Sequence, residues 1–147
     1  MSKRRKIAKG AVLALIVSSL LTIPSFAGNS NYTILKIPGS TNRYYQMSTG
    51  GTNTKANTAS GWVVNAISLN YPKNVASWGV AFTLFRSTTG INETYDMWKG
   101  TTGRTTGTYK SGYGKAGTTY QIGARLDDVL ASYGTGHSTG EWNSDSF

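Results

Sequence analysis

The sequence predicts an all-β domain, an antiparallel β-sandwich or small barrel of about seven strands, preceded by a signal peptide. Three observations predict it. Short runs of alternating apolar and polar residues recur, bounded by Gly, Pro and Asn, which is the patterning of half-buried strands and their turns. Helix signals are nearly missing, because Gly, Thr, Ser and Asn dominate and Gly and β-branched residues are poor helix formers. The chain has no Cys but carries 4 Trp, 9 Tyr and 4 Phe. Ring burial must therefore do what disulfides do in many small exported domains.

Residues 1–27 form the first element. Lys3-Arg4-Arg5-Lys6 and Lys9 make a basic end, and Ala11 to Ile23 is a short apolar run. Ser25-Phe26-Ala27 is a small-x-small stop. These are the three parts of a secretory signal peptide, here cleaved after Ala27. The apolar run is shorter than the about 20 residues needed to span a bilayer. Removing 27 of the 147 residues leaves 28–147 as one domain of 120. A domain of that size buries about two-thirds of its extended-chain surface, enough for one core.

The strands follow in order. Tyr32-Thr33-Ile34-Leu35-Lys36-Ile37 ends at Pro38-Gly39, and Arg43–Met47 ends before Gly50-Gly51. Thr52–Ser60 reads as a loop. Trp62–Tyr71 is a longer strand, with Val63, Ile67, Leu69 and Tyr71 on one face and Asn65 as a polar intruder there. Val75–Arg86 alternates Trp78, Val80, Phe82 and Leu84 with smaller residues. The three-residue connection Pro72-Lys73-Asn74 predicts that these two strands form a hairpin. Thr94–Trp98 is short, 100–107 reads as a Gly- and Thr-rich turn, and Thr108–Tyr113 and Thr118–Leu126 complete the set. Asp127–Ala131 is either a helical fragment or a loop, and Tyr133–Gly140 reads as a Gly-rich loop.

Charge narrows the partner. Five of the 15 basic residues lie in the leader, so the mature domain has ten basic and six acidic residues, a net +4. Its basic residues are single and dispersed, which argues against nucleic acid. Moderate basicity suits a cell-wall polymer or a membrane surface.

Catalytic and metal motifs are thin. His137 is the one His and could join Asp127 or Asp128 and a Ser in a triad, but no G-x-S-x-G elbow occurs. Asp127 with Asp128, Glu93 with Asp96, and Glu141 with Asp145 could supply paired carboxylates for glycoside hydrolysis. They read more simply as surface and turn residues. Asn143-Ser144-Asp145 offers two oxygen ligands at alternate positions but not the rest of a calcium loop. No metal, cofactor or enzymatic activity is expected. The aromatic residues least committed to a core are Tyr44, Tyr45, Tyr109, Tyr113, Tyr120 and Trp142, and of these Tyr44, Tyr45, Tyr109, Tyr113 and Trp142 are the candidate contact residues. Exposed rings can stack on sugars or sit at a membrane interface.

The carboxyl end reads Gly123-Ala124-Arg125-Leu126-Asp127-Asp128, then Ser138-Thr139-Gly140-Glu141-Trp142-Asn143-Ser144-Asp145-Ser146. It resembles the ending of a family of small secreted Gram-positive proteins, which run from a signal peptide into a β-rich domain. Those proteins finish in a Gly-x-Trp-Ser-Pro-Asp-Ser-like tail. Asn143 stands here for the family's Ser, and Ser144 for its Pro. The chain is also similar in character, without a shared motif, to lactococcin-972-like bacteriocins. The resemblance implies export and a β fold and carries no activity. The expected role is a secreted, non-catalytic binding or structural module of the cell envelope or extracellular space. The alternatives are an antimicrobial protein and, third, a wall hydrolase.

Overall fold

Two antiparallel sheets face each other in the computed structural model, which describes residues 28–39, 45–58, 60–72, 78–126 and 134–146. The strands are β1 (Ser30–Pro38), β2 (Gln46–Met47), β3 (Asn53–Thr54), β4 (Trp62–Asn70), β5 (Val80–Arg86), β6 (Met97–Lys99), β7 (Gly103–Gly107), β8 (Thr119–Leu126) and β9 (Thr135–Asn143). Sheet A has the order β1-β9-β4-β7. Sheet B has the order β2-β8-β5-β6, with β3 also pairing β8. The all-β sandwich is therefore the fold, built of nine strands among the described residues, two of them only two residues long.

Period-two alternation decides what lies between the sheets. Tyr32, Ile34 and Ile37 of β1, Trp62 and Val64 of β4, and Trp142 of β9 meet Val80, Phe82 and Leu84 of β5 and Tyr120, Ile122 and Leu126 of β8. The Tyr32 ring meets Phe82 edge-on across the sandwich, centroids 5.7 Å apart. Its hydroxyl lies 2.8 Å from Ser138 Oγ, which itself donates to Ser68 O. Tyr32 thus donates to Ser138, and neither hydroxyl of the pair is stranded in the core. Burial raises the Tyr32 pKa to about 12.

The structure corrects several strand readings. β4 and β5 do not form a hairpin, because β4 belongs to sheet A and β5 to sheet B. In β4 the core side is Trp62, Val64 and Ala66, so Val63 and Asn65 face outward. A register shift between Ala66 and Ser68 then leaves Ile67 exposed and packs Leu69 against the core. Trp78 precedes β5 and is exposed rather than inward. The segment 100–107 contains β7, an edge strand, and 108–113 contributes only a bridge from Tyr109 to Thr94. Residues 135–140 of the Gly-rich stretch belong to β9, which pairs β1 on one side and β4 on the other. Gly140 explains why that strand is hidden in the sequence. A Cβ there would run into Asn65 O and come within 3.0 Å of the Tyr32 ring, so close strand approach excludes any side chain.

The tail is a buried staple. Lys55 Nζ sits 3.0 Å from Asp145 Oδ1, both side chains essentially sealed from solvent. It also donates to Ser60 O, Ser60 Oγ, Gly61 O and Ser144 O at 2.8–3.1 Å. Asp145 accepts from the backbone N–H groups of Ala56 and Asn57 and from Ser60 Oγ. Burial pushes its pKa up, but these bonds outweigh it and hold the carboxyl below its ordinary value. Asn143 Oδ1 accepts from Asp145 N at 2.9 Å, an Asx turn.

Candidate functional site

Each sheet has an outer face, and the two differ in chemistry. On sheet B the outward positions of β8 are Gln121, Gly123 and Arg125, paired with Phe85, Thr83 and Ala81 of β5. Trp98 of β6 pairs Ala81 from the other side. Arg125, at the end of β8, therefore lies across the small Ala81 and reaches Asp96, just before β6. Its Nη2 and Nε donate to Asp96 Oδ2 at 2.8 and 3.2 Å, and Nη1 donates to Leu126 O. Tyr45 OH donates to Asp96 Oδ1 at 2.5 Å. The guanidinium stands 4.8 Å from the Trp98 ring and 5.7 Å from the Tyr45 ring. The Tyr45 ring in turn meets Phe85 edge-on at 5.3 Å.

The outcome is a row of half-buried rings, Phe85, Tyr45 and Trp98, fixed around a cation that is only 5 % exposed. Burial disfavours the Arg125 charge, yet Asp96 and Tyr45 more than compensate and raise its pKa. Tyr45 is pushed up to about 12, by burial first and by Asp96 second. Tyr45 is therefore held by charge-assisted bonds, Trp98 by the stacked guanidinium and Phe85 by the Tyr45 ring, at a surface where free rotamers would otherwise have to be ordered on binding.

On sheet A the outer face carries a polar row beside the exposed Leu35 and Ile67. Pairing register sets Arg104 of β7, Asn65 of β4, Glu141 of β9 and Asn31 of β1 in one row across four strands. Asn29, Val63, Asn65, Arg104, Glu141 and Trp142 line a shallow cavity of about 130 Å³ on this face.

The sequence candidates disperse. Tyr45 lies in the sheet B row. Tyr44 lies outside the described residues, as do Asp127 and Asp128. Tyr113 is 40 % exposed, on the turn before β8. Tyr109 is half-buried, donating to Ser144 O and tilted against Tyr120 at 5.4 Å, so it supports the tail. Burial raises the pKa values of both Tyr109 and Tyr120. Trp142 is a correction to the expected surface ring: it is 1 % exposed and belongs to the core, although it also borders the sheet A cavity.

The acids are parted as well. Glu93 is buried, bonded by Tyr120 OH at 2.6 Å and ion-paired with Arg86, while Asp96 lies on the opposite face of sheet B. Glu141 is on the outer face of sheet A, and Asp145 is in the buried staple. His137 is an exposed β9 residue, whereas Ser138 points inward to Tyr32. Among the described residues no group of three or more His, Cys, Asp or Glu could hold a metal ion. Sequence reasoning missed Phe85, Asp96, Trp98 and Arg125 as a unit, since their meeting depends on β8 and β6 flanking β5. Comparisons with protein-family models, curated proteins and solved structures find no match to this chain.

Proposed function

We propose that the chain is an exported, non-catalytic binding or structural module of the bacterial cell envelope or extracellular space. It contacts a cell-wall polymer or membrane surface through the ring row of sheet B. The observation that carries this reading is the Tyr45–Arg125–Trp98 stack locked by Asp96. Rings fixed at a surface supply large contact area at low ordering cost.

Other features support it. The basic, apolar and small-x-small leader argues for export. From Gly28 onward the described chain is tied into the fold, with Asn53 Nδ2 donating to Gly28 O at 2.7 Å. The carboxylates of Glu93, Asp96 and Asp145 are each engaged by Tyr, Arg or Lys, which favours binding over hydrolysis. A net +4 draws the domain toward anionic envelope polymers.

The test is sedimentation of the secreted protein with purified Gram-positive cell wall and, separately, with anionic vesicles. The parent should pellet with one of these and release neither reducing ends nor free amines. Trp98→Ala should pellet several-fold less while keeping its β circular dichroism. Equal sedimentation of the variant, or wall hydrolysis by the parent, overturns the proposal.

A further inference from the structure

We infer that the outer face of sheet A carries a pocket for one neutral sugar ring of a larger glycan, with Glu141 as the principal hydrogen-bond acceptor. This site lies on the face of the sandwich opposite the ring row, and its success or failure is read separately.

The strand register builds the site. Glu141 and Arg104 flank Asn65 across three adjacent strands, so their Cα positions stand two strand spacings apart, about 10 Å. A pyranose lying over Asn65 presents hydroxyls toward both flanking strands. The adjacent row supplies Val63, only 6 % exposed, as an apolar floor for the C–H face of a ring. Asn29 and Asn65 line the cavity, and an amide side chain can both donate and accept, as vicinal hydroxyls require.

Charge selects the ligand class. One guanidinium and one carboxylate line the cavity, so their charges offset. A polyanion would meet Glu141, and a polycation would meet Arg104. A neutral polyol meets neither repulsion. The volume of about 130 Å³ is below the about 300–1,000 Å³ of pockets that enclose drug-sized ligands, so a single ring enters and the rest of the chain stays outside.

Glu141 is also oriented. Asn143 commits its Oδ1 to Asp145 N, which turns its Nδ2 toward Asn29 Oδ1 at 3.4 Å. Asn29 in turn donates its Nδ2 to Glu141 Oε2 at 3.2 Å. The buried tail thus aims the acceptor through two asparagines, and Asn143 is a positioning residue.

The experiment is titration of the ¹⁵N-labelled protein, recovered from a secreting host, with glucose, N-acetylglucosamine and, as charged comparators, glucuronate and glucosamine. A neutral sugar should shift the Asn29 and Asn65 side-chain amides saturably, with a dissociation constant on the order of 1 mM. Glu141→Gln, which keeps shape and fold, should bind that sugar roughly tenfold more weakly or worse, because a charge-assisted bond is lost. Asn143→Ala should weaken binding less and move the Asn29 amide resonances before any sugar is added. Shifts confined to sheet B, tighter binding of either charged sugar, unchanged affinity in Glu141→Gln, or no response to any of the four would each overturn the inference.

Discussion

Replacing Asp145 by Ala is the sharpest probe of how this cysteine-free domain holds its C-terminus. The substitution leaves Lys55 Nζ among Ser60, Gly61 and Ser144 oxygens but removes its counter-charge from a site where both side chains are at most 1 % exposed. Removing one partner of a buried ion pair costs about 3–5 kcal/mol. The Ala56 N, Asn57 N and Ser60 Oγ donors also lose their acceptor, at about 1–3 kcal/mol for each that stays dry. Asn57 is exposed, so water can reach that end and the sum stays near the lower bound. We expect a loss of about 4 kcal/mol, a large part of the about 5–15 kcal/mol typical of a domain, and a fall in Tm of roughly 10–20 °C. Urea unfolding followed by Trp fluorescence measures it. Lys55→Met removes the other charge, and the double variant should be at least about 2 kcal/mol more stable than additivity predicts. The sign of the pH dependence follows from the lowered Asp145 pKa. Its stabilisation is present above the unfolded value of about 3.9 and is lost as pH falls through the lower folded value. The Ala variant should lack that part of the acid limb. A loss under about 1 kcal/mol, or strict additivity in the double variant, refutes the staple.

Two further outcomes are expected. Gly140→Ala drives a methyl group into Asn65 O and the Tyr32 ring and should cost about 1–3 kcal/mol, whereas Gly51→Ala, with open space around it, should be near neutral by the same denaturation assay. In alkali, Tyr32 and Tyr45 hold pKa values of about 12 in the folded state against about 10 unfolded; their contribution is intact below pH 10 and should disappear as pH rises toward 12, with tyrosinate absorbance growing in step with unfolding.

The class of fold was legible because β1, β5 and β8 advertise their buried sides with large apolar residues. The arrangement was not. Pro72 and its neighbours read as a hairpin turn, but turn length alone does not say whether a chain reverses within a sheet or crosses to the other one. The β4 pattern was read out of phase because Val63 is apolar yet outward and a register shift near Ile67 changes the side on which Leu69 falls. β9 was concealed by Gly136 and Gly140, inward positions occupied by neighbouring backbone and side chains instead of by a side chain of their own. Alternation can be detected only where the inward residue is visible as a large one.

The same logic separates the two kinds of site residue. Trp142 looked like a surface ring because it follows a Gly-rich stretch, and once that stretch is a strand its phase sends the ring inward. Asn65, conversely, was the one signal of the sheet A cavity in the sequence: a polar residue that breaks an apolar face is either a defect or proof that the face is outward. Here the face is outward, and its cross-strand neighbours Glu141 and Arg104 are polar as well. Arg125 gave no comparable signal, since a basic residue at a strand end is ordinary until Asp96 and Trp98 arrive from another strand to bury it. Residues whose role is set by their own strand's phase can be read from one segment. Those whose role is set by pairing between distant segments, as with Arg125 and Asp96, 29 residues apart, become readable only when strand order is known.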